Sequence, residues 1–299
     1  MFMIIIDAHS HLWEKQNTTV DGQPIYALPD NGSRSMFFGE VRQMLPPYMI
    51  DGKNSAEVFL SNMDFAQVHG AVVVQEVIDG NQNQYLTEVQ ERYPNRFFCM
   101  GMANEGTAEE TERILALGLR GIAIPGHRLH EPLTKWMPMF KKMEEKGMIL
   151  DLCLHEDNHQ LGEVEEIVEA CPNLKIAIGH FGMVTTPGWL EQIRLARHKN
   201  VYVESGGITW LFNSEWYPYP SAMKAIRQAI DEVGVEKLMW GSDYPRTISV
   251  ITYRMSYDFV LKSNVLTEAE KRAFLGENAM KFYGFSFKEE MPYIKSMSE

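Results

Sequence analysis

Residues 119–155, LRGIAIPGHRLHEPLTKWMPMFKKMEEKGMILDLCLH, contain the pattern on which the predicted fold depends. The stretch begins with a short apolar run at residues 119–125 and ends with a second one at residues 149–155. Between them, residues 138–146 have the apolar spacing of an amphipathic helix. Both runs are nearly continuous in apolar character rather than alternating, which is typical of parallel strands covered on both faces. The stretch therefore predicts a strand, a helix and a second, parallel strand.

The same unit recurs along the chain. Eight apolar runs are present, at residues 4–12, 68–75, 97–103, 119–125, 149–155, 175–182, 201–207 and 238–243. Amphipathic segments separate them, at residues 56–68, 83–93, 108–117, 138–146, 161–171, 189–198 and 222–233, and a last helix is predicted at residues 268–283. Eight strands alternating with helices predict an α/β fold, a (β/α)8 TIM barrel. A doubly wound open sheet is the alternative, but no glycine-rich phosphate fingerprint follows the first strand.

Composition and charge narrow the class of protein. The chain has 299 residues, of which 45% are hydrophobic and 23% charged, as in ordinary globular proteins. Its 28 basic and 40 acidic residues give a net charge of −12, which disfavours nucleic acid and anionic membranes as partners. The apolar start is too short for a signal peptide, and the three cysteines form no disulfide framework. We expect a cytoplasmic, single-domain protein over residues 1–299, with a barrel core at about 4–285, that acts on a small molecule.

Two long loops are predicted, at residues 14–53 after the first strand and residues 208–220 after the seventh. Both would lie over the C-terminal face of the barrel, where active sites of this fold form. The second loop carries five aromatic residues: Trp210, Phe212, Trp216, Tyr217 and Tyr219. We interpret it as a substrate lid, a pocket wall or a homo-oligomer contact, because exposed aromatics need a partner. Packing of these aromatics as local core is the alternative.

Polar residues cluster where the predicted strands end. Side chains alternate along a strand, so His9 and His11 share one face, and two imidazoles near a barrel mouth suit a metal such as zinc. His155 ends the fifth strand, His180 the sixth and Asp243 the eighth. Four histidines and an aspartate at four strand ends predict a metal site. The other histidines, His69, His127, His130, His159 and His198, are interpreted as structural or solvated, with His127 beside Arg128 also a candidate pocket residue.

Further candidates surround this group. Arg246 follows Asp243 by three residues, and its guanidinium could hold a substrate carboxylate bidentately or form a surface ion pair. Four residues at or near other strand ends could line the pocket, namely Trp13, Gln75, Asn104 and Glu204, and Glu204 could equally cap a loop. Glu76 and Glu156 fall on the opposite side of the strand alternation and are not expected in the site.

These motifs resemble the amidohydrolase superfamily, in the amidohydrolase-related branch that contains lactonases and aminocarboxymuconate-semialdehyde decarboxylase-like enzymes. The matching elements are Asp-Ala-His-Ser-His-Leu-Trp at 7–13, His155, Gly-His-Phe-Gly at 179–182, Gly-Ser-Asp-Tyr-Pro at 241–245 and Glu-Asn-Ala at 277–279. The resemblance covers about residues 4–285. The motifs are specific for this branch of the superfamily, but they are only weak indicators of the substrate.

The resemblance implies a site as well as a fold. His9, His11, His155 and Asp243 would bind one divalent metal ion, expected to be zinc, with manganese as an alternative. Asp243 would also take the proton of the attacking water, and His180 would be a further ligand, a proton carrier or an electrophile. Binuclear members use a carbamylated lysine from the fourth strand, but residues 121–125 contain none. Some lactonases of the branch work without a divalent ion, so a metal-free variant stays open.

The resulting hypothesis is a metal-dependent hydrolase of a lactone or similar cyclic ester of a small carboxylated or sugar-acid substrate. A metal lowers the pKa of bound water to about 7, and a neighbouring carboxylate can accept its proton. The predicted substrate-binding residues are Trp13, Arg246, His127 and Trp210. The alternative reaction is non-oxidative decarboxylation of an aromatic or muconate-like acid, with which His155 and the Ser-Gly-Gly run at residues 205–207 are compatible. A catalytically inactive binding barrel is disfavoured by the intact set of histidines and aspartate.

Overall fold

The elements of the fold are taken from a computed structural model that describes residues 3–288 and 290–299. The strands are β1 Ile6–Ser10, β2 Asn17–Val20, β3 Gln23–Ala27, β4 Arg34–Phe37, β5 Glu40–Gln43, β6 Gly70–Val73, β7 Phe97–Cys99, β8 Gly101–Met102, β9 Gly121–Pro125, β10 Ile149–Cys153, β11 Lys175–Ile178, β12 Val201–Glu204 and β13 Leu238–Met239. The α-helices are α1 Ala56–Ala66, α2 Asn83–Arg92, α3 Ala108–Ala116, α4 Met137–Lys146, α5 Leu161–Ala170, α6 Trp189–Arg194, α7 Ile208–Leu211, α8 Pro220–Val233, α9 Met255–Lys262, α10 Glu268–Arg272 and α11 Asn278–Tyr283. Across the described ranges, no helix combines the length and apolar character needed to cross a membrane.

Parallel pairing arranges nine of these strands as the barrel. β1 pairs with β6 and β6 with β7, while β8 to β13 form one six-stranded sheet in sequential order. β7 and β8 are two parts of one strand, separated at Met100. The first and last strands also meet, because the amide of Ala8 donates to the carbonyl of Trp240 at 2.8 Å and the amide of Asp243 to that of His9 at 2.9 Å. The predicted (β/α)8 barrel is confirmed.

The core of the described residues has two large parts, one between the strands and the surrounding helices and one inside the barrel, and a small third cluster of Trp13, Leu45 and Met49. The interior part includes Ile6, Val72 and Met239 and is continued by Phe282 and Tyr283 of α11. α11 thus packs against the barrel interior at the end opposite the cavity described below. The polar side chains of the cavity lie at the C-terminal ends of the strands. A capping box at Thr267 and Glu270 begins α10.

The segment at residues 14–53 is not the long loop that we expected. It contains a four-stranded antiparallel sheet in the order β2-β3-β4-β5, which we call the inserted sheet. Two tight turns with positive φ join its outer strand pairs, Asp21-Gly22 and Phe38-Gly39. These geometries suit two-residue hairpin turns, and Asp-Gly is a strong sequence signal for one. The strands escaped prediction because several of them are polar and exposed, so hydrophobic patterning does not mark them.

Candidate metal centre and active site

A cavity of about 700 Å³ opens at the C-terminal ends of the barrel strands. Its size lies within the range of small-molecule sites. All nine residues predicted as catalytic, metal-binding or substrate-binding line it: His9, His11, Trp13, His127, His155, His180, Trp210, Asp243 and Arg246. The structure therefore gathers in one cavity the side chains that the sequence distributes over 238 positions.

Three of the four expected metal ligands converge at this cavity. Nε2 of His9 and Nε2 of His11 lie 3.2 Å apart. Oδ1 of Asp243 lies 3.2 Å from Nε2 of His11 and 3.9 Å from Nε2 of His9. Donor atoms sharing a tetrahedral zinc ion, with bonds of about 2.0–2.1 Å, are separated by roughly 3.3–3.4 Å. Two imidazole nitrogens and one carboxylate oxygen at these separations fit a single divalent ion.

Glu204, the last residue of β12, contacts His9 on the side of the ring that faces away from the other ligands. Its Oε1 lies 3.0 Å from Nδ1 of His9, and both side chains are buried. Burial alone would lower the pKa of His9, but the charge and hydrogen bond of Glu204 raise it to about 9. Glu204 also accepts the backbone amides of His180 and Gly206. It therefore orients His9 and ties the neighbouring loops together without lining the cavity.

Two further buried carboxylates went unpredicted. Asp79, in the turn that follows β6, places Oδ2 3.3 Å from Nδ1 of His11. Asp151 of β10 lies inside the barrel next to His9 and Glu204, and burial raises its pKa to about 7. An aspartate within the apolar run at residues 149–155 is a signal that could have identified Asp151. Asp79 has no such signal, because turns commonly contain aspartate.

Asp243 remains a carboxylate in this environment. Burial alone would raise its pKa, but the contact with His11 and the electrostatic interaction with the neighbouring histidines hold that pKa well below the usual range. While Oδ1 faces the two histidines, Oδ2 accepts the indole N–H of Trp210 at 2.6 Å. The two oxygens therefore have different partners, which fixes the plane of the carboxylate.

His155 lines the cavity but does not join the three converging atoms. Its side chain is 40% exposed, and Nδ1 lies 3.0 Å from Oδ1 of Asp157, which also contacts His159. His155 follows β10 by two residues, so the strand ladder does not fix its ring. Its role as a fourth metal ligand stays a prediction.

His180 has a defined hydrogen-bonding state. Its Nδ1 lies 2.9 Å from the carbonyl oxygen of Gly206. A carbonyl oxygen only accepts, so Nδ1 carries the hydrogen, and in the neutral ring Nε2 then keeps its lone pair. Burial, and then the charge of His9, lower the pKa of His180. This neutral tautomer favours a role as proton carrier or ligand over that of an electrophile.

The aromatic residues of the segment at 208–220 have different environments. Trp210 lines the cavity, while Tyr219 is buried and Phe212 and Tyr217 pack against the hydrophobic core. Trp216 is 92% exposed. Three of the five aromatic residues therefore pack as local core, as the alternative predicted. Of the five, only Trp210 forms part of the cavity wall.

Cationic side chains form part of the cavity wall. The guanidinium of Arg246 stacks 3.6 Å from the ring centre of Trp210, and among the described residues no carboxylate forms an ion pair with it. By contrast, Arg128 and His127 both contact Glu76, at 2.9 Å and 3.4 Å. Their interactions with Glu76 outweigh the effect of burial and lower the pKa of Glu76 to about 2.

Glu76 and Glu156 both line the cavity, so the expectation that they lie outside the site is wrong. The expectation that they lie outside it extended the alternation of strand side chains beyond the strands. β6 ends at Val73 and β10 at Cys153, three residues before each glutamate. Strand alternation therefore no longer determines where these side chains point.

A (β/α)8 barrel whose mouth gathers histidine and aspartate side chains has candidate ligands for a divalent ion where enzymes of this fold carry their active sites. The chain matches the family model described as amidohydrolase over residues 6–285, and it belongs to that family. The branch resemblance found in the sequence is thereby confirmed.

The relatives of the chain include lactone hydrolases. It is 23% identical over 219 residues to 4-sulfomuconolactone hydrolase of Rhizobium radiobacter, covering 70% of this chain and 71% of the relative. It is similar in fold to a probable 2-pyrone-4,6-dicarboxylic acid hydrolase from Acinetobacter baumannii with citric acid bound, with a TM-score of 0.71, 21% identity and coverage of 95% and 100% of the two chains. It is also similar to an amidohydrolase from Burkholderia multivorans with bound zinc, with a TM-score of 0.70, 17% identity and the same coverage.

Proposed function

We propose that this chain is a metal-dependent lactonase that opens the cyclic ester of a small carboxylated or sugar-acid substrate. The observation that carries the proposal is the convergence of His9 Nε2, His11 Nε2 and Asp243 Oδ1 in a cavity that also contains an arginine without an acidic partner. The names of the lactone-hydrolysing relatives support it. Cytoplasmic location and homo-oligomerisation are further proposals from the sequence.

His9, His11 and Asp243 would hold the ion, with His155 proposed as a fourth ligand. We propose zinc, which the Burkholderia multivorans structure contains, with manganese as the alternative. When bound, a divalent ion supplies Lewis-acid chemistry, which lowers the pKa of water and polarises a carbonyl.

The residues of the chain supply the proton transfers. Asp243 accepts a proton from water as the water oxygen bonds to the lactone carbonyl carbon. When the ring C–O bond breaks, the leaving oxygen needs a proton, which Asp243 returns directly or passes on through Nε2 of His180. Trp210 keeps the Asp243 carboxylate in one plane through its hydrogen bond to Oδ2. The carboxylate is therefore already oriented and need not rotate during the reaction.

Product analysis tests this function against decarboxylation. Purified protein is supplied with zinc or manganese and incubated with neutral, carboxylated and sugar-acid lactones, and with aromatic and muconate-like acids. Lactone opening releases acid, which a pH-stat records, whereas decarboxylation releases carbon dioxide. We expect acidification with carboxylated or sugar-acid lactones. Carbon dioxide release without acidification would establish the alternative reaction, and inactivity on every substrate would favour a binding barrel.

We expect Arg246→Met to raise KM for a carboxylated lactone by about 10-fold or more, because hydrogen bonds to charged groups contribute about 1.5–3 kcal/mol. The KM for a neutral lactone should stay unchanged, because no carboxylate is then bound. Arg254→Met serves as the control, since Arg254 is an exposed arginine outside the cavity. An equal effect on neutral and carboxylated lactones would show that Arg246 supports the Trp210 ring and does not bind substrate.

We expect Trp210→Phe to lower kcat by about 10-fold, since a hydrogen bond to the charged Asp243 carboxylate is lost while the ring is kept. Trp216→Phe is the matched control, because that indole is exposed to solvent. Kinetic constants and Tm are measured for both variants. A lower Tm for Trp210→Phe with unchanged kinetic constants would make the role of Trp210 structural.

A further inference from the structure

We propose that the inserted sheet stabilises the metal centre, and that Gln16 is the positioning residue that connects the two. Gln16 connects Ser35 of the sheet to Asp79, which in turn holds the metal ligand His11. The inference rests on the metal site of the proposed function, but it concerns ion binding and not the identity of the substrate.

The first step is the contact between Asp79 and His11. Oδ2 of Asp79 lies 3.3 Å from Nδ1 of His11, while Nε2 of the same ring faces His9 and Asp243. With its hydrogen on Nδ1, facing the negative charge of Asp79, the ring keeps its lone pair on Nε2, where an ion needs it. Carboxylates that orient ligating histidines in this way strengthen metal binding. Asp79 is therefore suited to fix both the tautomer and the rotation of the His11 ring.

The second step is the link from Asp79 to the inserted sheet. The amide Nε2 of Gln16 donates to Oδ1 of Asp79 at 3.4 Å. The amide Oε1 of Gln16 accepts the hydroxyl hydrogen of Ser35 at 2.6 Å. Because one end of the amide donates and the other accepts, its orientation is defined. Gln16 and Ser35 are each 1% exposed and Asp79 is 5% exposed, so water has little access to these bonds.

The third step concerns what the sheet does at the cavity. Phe37 of β4 and Arg42 and Gln43 of β5 line the cavity wall, although the sheet lies outside the barrel. The carbonyl of Gln16 also accepts the amide of Ala27, the last residue of β3. One buried network thus joins a metal ligand to the sheet that walls the substrate cavity. Without the Gln16 amide, Asp79 would keep a buried oxygen with no donor and would hold His11 less firmly.

The test measures zinc affinity and not turnover. Gln16→Met preserves side-chain length and removes both hydrogen bonds, and Ser35→Ala removes only the bond on the sheet side. Gln23→Met is the matched control, because Gln23 is an exposed glutamine on β3 of the same sheet. Zinc Kd is obtained by competition with a chromophoric chelator. Amide hydrogen exchange at residues 34–37 is followed with and without zinc, and circular dichroism checks that each variant folds.

We expect Gln16→Met to raise the zinc Kd by about 10-fold, at the low end of the effect of losing such a partner. Ser35→Ala should give a smaller rise, and Gln23→Met none. Zinc should slow exchange at residues 34–37 in the natural chain and not in Gln16→Met. If Gln16→Met does not fold, the Ser35→Ala result decides.

Zinc binding as tight in Gln16→Met and Ser35→Ala as in the natural chain would overturn the proposal. So would an equal loss in Gln23→Met, or an absence of zinc binding by the natural chain. Failure of lactone hydrolysis alone would reject the proposed function and leave this connection standing, because zinc affinity and hydrogen exchange require no substrate.

Discussion

Asp243→Asn is expected to lower kcat by 10² to 10⁴-fold or more while the protein keeps its fold. General base catalysis is typically worth about that much, and an amide cannot accept the proton of the attacking water. The variant should fold because an asparagine oxygen can still accept the indole N–H of Trp210, which now bonds to Oδ2 of Asp243. The measurements are kcat on the lactone identified by the pH-stat assay, the Tm and the metal content.

The metal content separates the two roles proposed for Asp243. A variant that keeps a full equivalent of zinc but loses turnover has lost its base. A variant that loses both has lost a ligand, because an amide binds cations less well than a carboxylate. Asp231→Asn on α8 is the control, since its exposed carboxylate pairs with Arg227 in the same helix. A near-normal kcat in Asp243→Asn would mean that another residue is the base.

The barrel could be predicted because its strands are chemically uniform. Each of the eight apolar runs that we identified contains a barrel strand, although the strands themselves are two to five residues long. The runs extend beyond the hydrogen-bonded ladder because the ends of the strands remain buried. The site followed from topology, since the C-terminal ends of parallel strands converge and placed His9, His180 and Asp243 around one cavity.

Side chains that are held by tertiary contacts were harder to predict. Glu204 and Asp79 orient His9 and His11 from elements that are distant in sequence, and an isolated acidic residue indicates no partner. Glu76 lies beyond the end of its strand, where alternation stops being informative. His155 lies on a loop between the three converging ligands and Asp157. Local sequence does not determine which of the two its ring contacts.

The inserted sheet shows another limit of periodicity. Its Asp21-Gly22 and Phe38-Gly39 turns adopt positive φ, and the first of them was a readable hairpin signal. The outer strands β2 and β5 are largely exposed and polar, so hydrophobic patterning gave no indication of them. The buried side chains of the sheet include Ile25 and Ser35.

Removal of the divalent ion is the second change with a large expected effect. We expect chelation followed by desalting to lower turnover by about 10²-fold or more, because Lewis-acid assistance contributes several kcal/mol to such reactions. Turnover should return when one equivalent of zinc is added. Tm should also fall on chelation, since an ion that binds only the folded chain stabilises it by about 2.7 kcal/mol when present at 100 times its Kd.

Two histidine variants make this prediction specific to the proposed centre. His11→Ala should prevent zinc from restoring turnover, because Nε2 of His11 lies 3.2 Å from both His9 Nε2 and Asp243 Oδ1 and is therefore central to the cluster. His130→Ala should be restored like the natural chain, because its imidazole is exposed and pairs with Asp21, away from the three converging atoms. Metal analysis and kcat are measured at each stage. Full turnover by chelated protein with less than about a tenth of an equivalent of metal would place this chain with the metal-free lactonases, because a single required ion can sustain no more turnover than its occupancy.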